Sequence, residues 1–228
     1  MPIDEPEEER EKSFKEWHQN IAKNRIFEKK LMAIYYHGTS AEPFEKFSLD
    51  HALEGDGKVK FGFGVYVTSK YSSAAHYSGA NPSAKVNYVY TVDIPEVVED
   101  NHLGFKEPVS SIIISKAESK LGETIPSEAC QQGSLFRKYL ANRLTGNIST
   151  VKKMTDKADL KGEKTAAEFL VSIGVDLLTW PTNWKKPEEG LNCAVMDENK
   201  VRILQLDTVR LDEKKKLIED SIVTVRKY

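Results

Sequence analysis

Apolar and polar residues alternate over several short stretches of the chain, and this alternation predicts β-strands. The clearest stretch is Val86–Ile94, where an apolar residue occupies every second position before Pro95. Shorter apolar runs predict further strands, and Gly38 is expected to end the first of them. These strands are predicted at Ile34–His37, Gly64–Thr68, Val175–Trp180, Cys193–Met196, Val201–Leu206 and Ser221–Val225.

Segments with helical spacing lie between these strands. Helices are predicted at Ser72–Ser78, Ser110–Leu121, Ser134–Leu144 and Thr165–Ile173. Gly174 is expected to cap the last of them, Ser149–Lys164 predicts loops or a capped helix, and Asp212–Tyr228 predicts a lysine-rich helix before the final strand. Because strands and helices do not alternate regularly, the order predicts an α+β fold.

The first 32 residues differ from the rest of the chain. They open with the acidic run Asp4–Glu9 and continue as a charged segment with Phe14, Trp17 and Ile21 near one helical face. This pattern predicts an N-terminal helical extension (1–32) packed on a main domain (33–228). A linker helix belonging to a larger protein is the alternative.

Composition is that of an ordinary globular protein, with 39% hydrophobic and 30% charged residues. The net charge of −2 implies no whole-chain attraction to nucleic acid or anionic membranes, although it leaves room for a local basic groove. The N-terminus lacks the pattern of a secretory signal, and no apolar run approaches the ~20 residues that span a bilayer. A cytoplasmic protein without a membrane partner is therefore expected.

Most common catalytic and metal-binding motifs are missing from the sequence. It has no dinucleotide-binding glycine fingerprint, P-loop, serine nucleophile elbow or zinc-protease motif. The two cysteines have no metal-ligand spacing and the five histidines are scattered, so no metal site is predicted. Lys214–Lys216 is either a phosphate patch or, since acidic residues flank it, a solvated helix face.

Two segments together carry the chemical signal. The first is Tyr35–Ser40, an apolar strand that ends in His37, Gly38 and Thr39, and the second runs from Gly64 to Tyr77. Tyr66 and Tyr77 would supply flat surfaces for a nicotinamide ring. The Gly38 backbone would reach its carboxamide because no Cβ intervenes, and the His37 and Thr39 side chains would bond a ribose. Taken alone, a histidine such as His37 is more often a hydrogen-bonded structural residue.

The joint pattern resembles the histidine–tyrosine class of ADP-ribosyltransferases, which includes diphtheria-like toxins and poly(ADP-ribose) polymerases. The spacing from Tyr66 to Tyr77 is similar to the polymerase pattern. From about Ser13 to Leu211 the order of elements looks like the version found in phage and plasmid polyvalent proteins. The resemblance implies a split β-sandwich with surrounding helices, two small antiparallel sheets, and NAD bound between them as substrate.

Two positions depart from the family pattern. Asn192 stands where the family carries a glutamate that holds a ribose hydroxyl, and an amide can bond a hydroxyl but cannot act as a base. Glu188 or Glu189, just upstream, could take the role of that glutamate. Ala74 stands where polymerases carry a carboxamide-binding serine, with Ser73 adjacent.

The resemblance implies a mono-ADP-ribosyltransferase, a toxin or phage-type effector that modifies a host macromolecule, either protein or nucleic acid. His37, Tyr66 and Asn192 are the predicted catalytic residues. Gly38, Thr39, Ser73 and Tyr77 join His37 and Tyr66 as predicted NAD-binding residues. The alternatives are a pseudoenzyme that binds NAD without transfer and a glycohydrolase that consumes NAD without a target.

Overall fold

A computed structural model describes residues 32–51, 61–146 and 160–228. Residues 1–31 of the predicted extension (1–32) therefore lie outside the described residues, as do residues 149–159 of the predicted loop or capped helix. The strands are β1 (Met32–Thr39), β2 (Val65–Thr68), β3 (Asn87–Pro95), β4 (His102–Gly104), β5 (Leu177–Pro181), β6 (Leu191–Val195), β7 (Arg202–Val209) and β8 (Val223–Lys227). The helices are α1 (Tyr71–Ser78), α2 (Ser111–Leu121), α3 (Ser127–Cys130), α4 (Gly133–Leu144) and α5 (Leu160–Ser172).

These elements form a mixed α+β fold around one mostly antiparallel sheet, in the order β4-β5-β6-β2-β1-β3-β7-β8. Only β4 and β5 run parallel. The predicted class, α+β, is confirmed. The expectation of two separate sheets is wrong at the level of hydrogen bonding, because the described strands make one continuous sheet.

The sheet nevertheless has a weak point at its centre. Strand β1 pairs with β3 along its whole length, whereas it meets β2 at the single pair Tyr36↔Thr68. Beyond that pair the two strands diverge, so the sheet forks into a half built on β1 and a half built on β2. Side chains of both halves, among them Tyr35, Val67 and Cys193, share one buried core, which we call the inner core.

The opposite face of the sheet carries the helices. Over the β2 half, α2, α4 and α5 pack in a second core that includes Ile113, Phe136 and Leu170. Over the β1 half, α1 packs through Ala74 and Ala75 against Val89 of β3. Strand β3 is buried on both faces for this reason, which explains why its apolar content exceeds simple alternation.

Local signals set the helix ends. The Ser110 hydroxyl accepts a hydrogen bond from the amide of Ile113, which caps α2, and Gly122 (φ 71°) ends it in the left-handed conformation. Gly174 (φ 85°) adopts the same conformation after α5. None of the described helices combines the length and apolar character required to cross a bilayer.

The predicted lysine-rich helix after Asp212 is wrong. Leu211 and Leu217 pair as an isolated β-bridge, and the chain between them makes a tight turn. An Asp212 carboxylate oxygen accepts hydrogen bonds from the amides of Lys214 and Lys216, and Lys215 has a positive φ of 59°. This side-chain capture of backbone donors competes with helix formation.

Other differences concern element bounds. Strand β1 continues through Gly38, which was expected to end it, because β3 pairs with it as far as Thr39. The short elements β4 and α3 have no counterpart in the prediction. Strand β7 extends to Val209, and β8 begins two residues later than expected, after a 3₁₀ turn at Glu219–Ser221.

Candidate functional site

His37 lies on β1 where the sheet forks. Its Nδ1 donates a hydrogen bond to the carbonyl oxygen of Tyr66 on β2, at 2.7 Å. The bond joins the two halves of the sheet one residue beyond the last pair between their strands. Because a carbonyl only accepts, Nδ1 carries the proton and Nε2 is left with an acceptor lone pair.

The surroundings of His37 keep its ring neutral. The edge of Phe47 packs on it at 5.0 Å between centroids, and Tyr90 lies at 6.4 Å. Burial lowers the pKa of His37, against a smaller raising effect of the bond to Tyr66. The loop after β1 is anchored by Phe44, which stacks on Tyr90 at 4.5 Å. No partner for Nε2 occurs in the described ranges.

Gly38 lies directly under helix α1. A Cβ built on Gly38 would come within 1.7 Å of the Ala74 carbonyl oxygen, so only glycine allows α1 to approach β1 this closely. Helix packing alone therefore requires glycine at position 38, in addition to the predicted approach of a ligand to its backbone. Ala74 itself is buried at this contact. The Thr39 hydroxyl accepts a hydrogen bond from the Ala41 amide at 3.1 Å, which shapes the turn after β1.

Tyr66 points to the helix-bearing face, where both its hydroxyl group and its ring are held by neighbouring residues. Its hydroxyl donates to the Gly62 carbonyl at 2.8 Å and accepts from the Phe61 amide at 3.1 Å. Its ring packs edge-on against Trp180 at 5.5 Å. Trp180 in turn stacks flat on Phe61 at 4.3 Å. Burial raises the pKa of Tyr66, so the phenol is neutral and remains a hydrogen-bond donor.

Ser73 and Tyr77 lie one turn apart on α1 and therefore share a flank of the helix. The other flank is fixed to β7, since the Tyr71 hydroxyl donates to Asp207 at 3.0 Å. Tyr77 is 58% exposed, unlike Tyr66. No ring contact between Tyr66 and Tyr77 occurs in the described structure, so the two predicted clamp residues are not packed on each other.

Asn192 lies on β6 opposite Thr68 of β2 and Trp180 of β5. Directly paired residues share a face of the sheet, as do residues two apart on one strand, so Asn192 is on the same face as Tyr66. Its side chain is 5% exposed, and its Oδ1 has no hydrogen-bond partner within the described ranges. A buried acceptor without a partner is rare and is often explained by a ligand or a water.

Glu189 is engaged by two lysines. Its carboxylate pairs with Lys186 at 3.2 Å and with Lys70 at 3.3 Å, and these partners lower its pKa. Lys70 immediately precedes α1, so the pair ties the segment before β6 to the start of that helix. Glu188 is exposed in the same 3₁₀ turn. Glu189 is thus held by these two ion pairs, three positions before Asn192 in the chain.

A buried ion pair was not predicted. Arg137 of α4 pairs with Glu163 of α5, and their side chains are only 3% and 6% exposed. Burial lowers the pKa of Arg137 to about 10, so it stays protonated at neutral pH. A signal was present in the sequence: Glu163 precedes Ala166, Ala167 and Leu170 by helical spacings that place it on the apolar face.

The structure thus joins His37 to Tyr66 by a hydrogen bond, places Asn192 on the face that carries Tyr66, and leaves Tyr77 exposed on a neighbouring helix. The described residues contain no cluster of metal-ligating side chains. Comparisons with protein-family models, curated proteins and solved structures give no match for this chain.

Proposed function

We propose that this protein is a mono-ADP-ribosyltransferase that uses NAD and modifies a macromolecular target. The observation that carries the proposal is the bond from His37 to the Tyr66 carbonyl at the fork of the sheet. It connects the two segments in which the sequence resembles the histidine–tyrosine class. Burial keeps His37 neutral and the bond holds its proton on Nδ1, so Nε2 is available to accept a hydrogen bond from a ribose hydroxyl.

The unpaired oxygen of Asn192 supports an NAD site on the face of the sheet that carries Tyr66. A ribose hydroxyl would satisfy this buried acceptor, which otherwise costs stability. The ring of Tyr66, fixed by its bonds to Phe61 and Gly62, would form one wall for nicotinamide. Tyr77 would form the other wall from α1, with Ser73 beside it. The shared inner core of the two half-sheets is compatible with a split sandwich.

NAD would supply the ADP-ribosyl group, with nicotinamide as the leaving group. The chain's part is to hold the ribose and the nicotinamide on either side of the bond that breaks, and to exclude water. Positioning and electrostatics would therefore account for most of the acceleration. Asn192 cannot offset positive charge, because its amide is neutral. The ionised carboxylate of Glu189 is a candidate for that task, and its two lysine partners reduce its effect. We therefore expect slow transfer. A phage-type or toxin effector acting on a host protein or nucleic acid fits this reading.

A binding module without transfer is the second candidate, and one observation favours it. The residue at the family's glutamate position is an amide that is buried in the sheet. Asn192→Glu separates the two readings. If only the missing carboxylate limits the reaction, this variant turns NAD over faster than wild type; if the protein is a binding module, both proteins bind NAD and neither consumes it.

The test of the main proposal is incubation with labelled NAD and cell lysate. Transfer predicts label on a macromolecule, whereas free ADP-ribose would indicate a glycohydrolase. His37→Ala should abolish NAD binding and labelling. His102→Ala is the matched control, because His102 Nδ1 makes the same kind of bond, to the Val98 carbonyl at 2.7 Å, on edge strand β4. Failure of the wild-type protein to bind NAD, or unchanged binding by His37→Ala, would refute the proposal.

A further inference from the structure

The turn that holds the Tyr66 hydroxyl rests on a buried arginine. Gly62, whose carbonyl accepts the Tyr66 hydroxyl proton, has a φ of 122°, a conformation that favours glycine. A Cβ built on Gly62 would lie 2.2 Å from Cδ1 of Leu178, 3.1 Å from Cδ of Arg137 and 3.3 Å from Nε of Arg137. The side chains of Leu178 and Arg137 therefore both pack directly against this turn, and Arg137 is the polar one of the two.

The partner of Arg137 comes from a different helix. Glu163 of α5 accepts a hydrogen bond from Nη1, and both side chains are almost completely buried. The ion pair holds the guanidinium end of the Arg137 side chain, and Gly62 packs on its Cδ and Nε atoms. Three elements, α5, α4 and the turn before β2, are thus joined through one side chain.

Stability alone is a poor reason for this arginine. Buried ion pairs are often no more stabilising than apolar residues of similar volume, because both charges lose their hydration. Arg137 also has a buried Nε with no hydrogen-bond partner in the described structure, which adds a further cost. An apolar side chain of similar volume would avoid both costs. An arginine whose planar, charged guanidinium group is fixed by Glu163 offers instead a rigid support for the turn.

We propose that Arg137, held by Glu163, is a positioning residue that fixes the Phe61–Gly62 turn and through it the orientation of the Tyr66 ring. The benefit of fixing the Tyr66 ring rests on the proposed function, in which this ring is one wall of the nicotinamide site. The structural part of the role, the support of the turn, is independent of NAD and is tested separately.

A double variant and a matched control test the proposal. A double variant is needed because Arg137→Met alone leaves the Glu163 charge buried without a partner, which lowers the denaturation midpoint whatever Arg137 positions. The double variant Arg137→Met/Glu163→Leu removes both charges at similar volume and should unfold at or above the wild-type midpoint. The matched control is Arg143→Gln/Glu123→Gln, which removes an exposed Arg–Glu pair from the end of the same helix.

The readout that does not depend on NAD is hydrogen exchange at the Phe61 amide, which donates to the Tyr66 hydroxyl. We expect this amide to exchange at least tenfold faster in the double variant, while the amides of the β3–β7 ladder keep their rates. The Tyr66 phenol pKa should also rise, because the positive charge of Arg137 lowers it. The control should change neither quantity.

NAD titration then tests whether the support of this turn by Arg137 contributes to NAD binding. The double variant should bind NAD at least tenfold more weakly than wild type, and the control should bind normally. A double variant with wild-type Phe61 exchange overturns the positioning role, whatever NAD does. Faster exchange with unchanged NAD affinity overturns the link to the nicotinamide site. If wild type fails to bind NAD at all, the proposed function fails while the exchange result still stands.

Discussion

Replacement of Gly38 by alanine tests the packing of α1 on the forked sheet. The new Cβ would lie 1.7 Å from the Ala74 carbonyl oxygen, and ordinary contact begins near 3.4 Å, so strand and helix must separate by about the difference, 1.7 Å. Both sides of the contact are backbone, which no side-chain rotation can relieve. Overpacking in a dense core costs about 1–3 kcal/mol, and we expect the upper end of that range here.

Urea denaturation measures this cost. With a slope of about 2–3 kcal/mol per molar, reasonable for a chain of this size, the midpoint of Gly38→Ala should fall by about 1 M. Displacement of α1 also moves Ser73 and Tyr77, so the variant should bind NAD more weakly if the proposed function holds. The stability result does not depend on NAD.

Gly104→Ala is the matched control. Gly104 also lies on a strand, but the atoms its Cβ would approach belong to the side chain of Glu107: the carboxylate can rotate away, and only the Glu107 Cβ, at 2.8 Å, must shift, by about 0.6 Å. The loss of unfolding free energy should therefore be clearly smaller than for Gly38→Ala, about 1 kcal/mol or less. A Gly38→Ala protein that unfolds at the wild-type midpoint would refute the claim that this glycine sets the approach of α1.

Three further outcomes are expected. Because burial lowers the folded-state pKa of His37 below its ordinary 6.5, the unfolded chain binds more protons below that pH. The free energy of unfolding should therefore fall as the pH drops below about 6.5, and less steeply in His37→Gln; equal pH dependence in both proteins would contradict the assignment. Asn192→Leu removes the unpaired buried oxygen, so unfolding free energies should be unchanged or higher by up to ~2 kcal/mol while NAD binding weakens; a clearly less stable variant would show that the amide has a structural partner. Tyr77→Ala removes an exposed ring and should alter stability by less than ~0.5 kcal/mol, yet weaken NAD binding in titration; His76→Ala, which alters the neighbouring side chain, should not weaken it.

Much of the secondary structure could be predicted from local patterns. The alternation in Val86–Ile94 predicts β3, and Ser110 with Gly122 bounds α2, because pattern and caps act within a few residues. The lysine-rich tail shows the limit of such reasoning. Composition there favours a helix, but Asp212 captures backbone amides and the Leu211↔Leu217 bridge closes a turn instead.

The candidate site could be predicted in part. The sequence singled out His37 and Tyr66, and the structure joins them by a hydrogen bond. It did not indicate that Gly38 is required by α1, or that Arg137 supports the turn beside Tyr66. These two relations connect residues 36 positions apart (Gly38 and Ala74) and 75 positions apart (Gly62 and Arg137), so no local pattern contains them.

The amino-acid sequence by itself determined the residue types available for chemistry and the order of most strands and helices, since both depend on side-chain identity and short-range spacing. Only the tertiary structure decided that the sheet forks beside Tyr36, that the Nδ1 proton of His37 bridges the fork, and that the Asn192 oxygen is buried without a partner. The physical reason is that strand pairing, burial and desolvation depend on which distant segments meet.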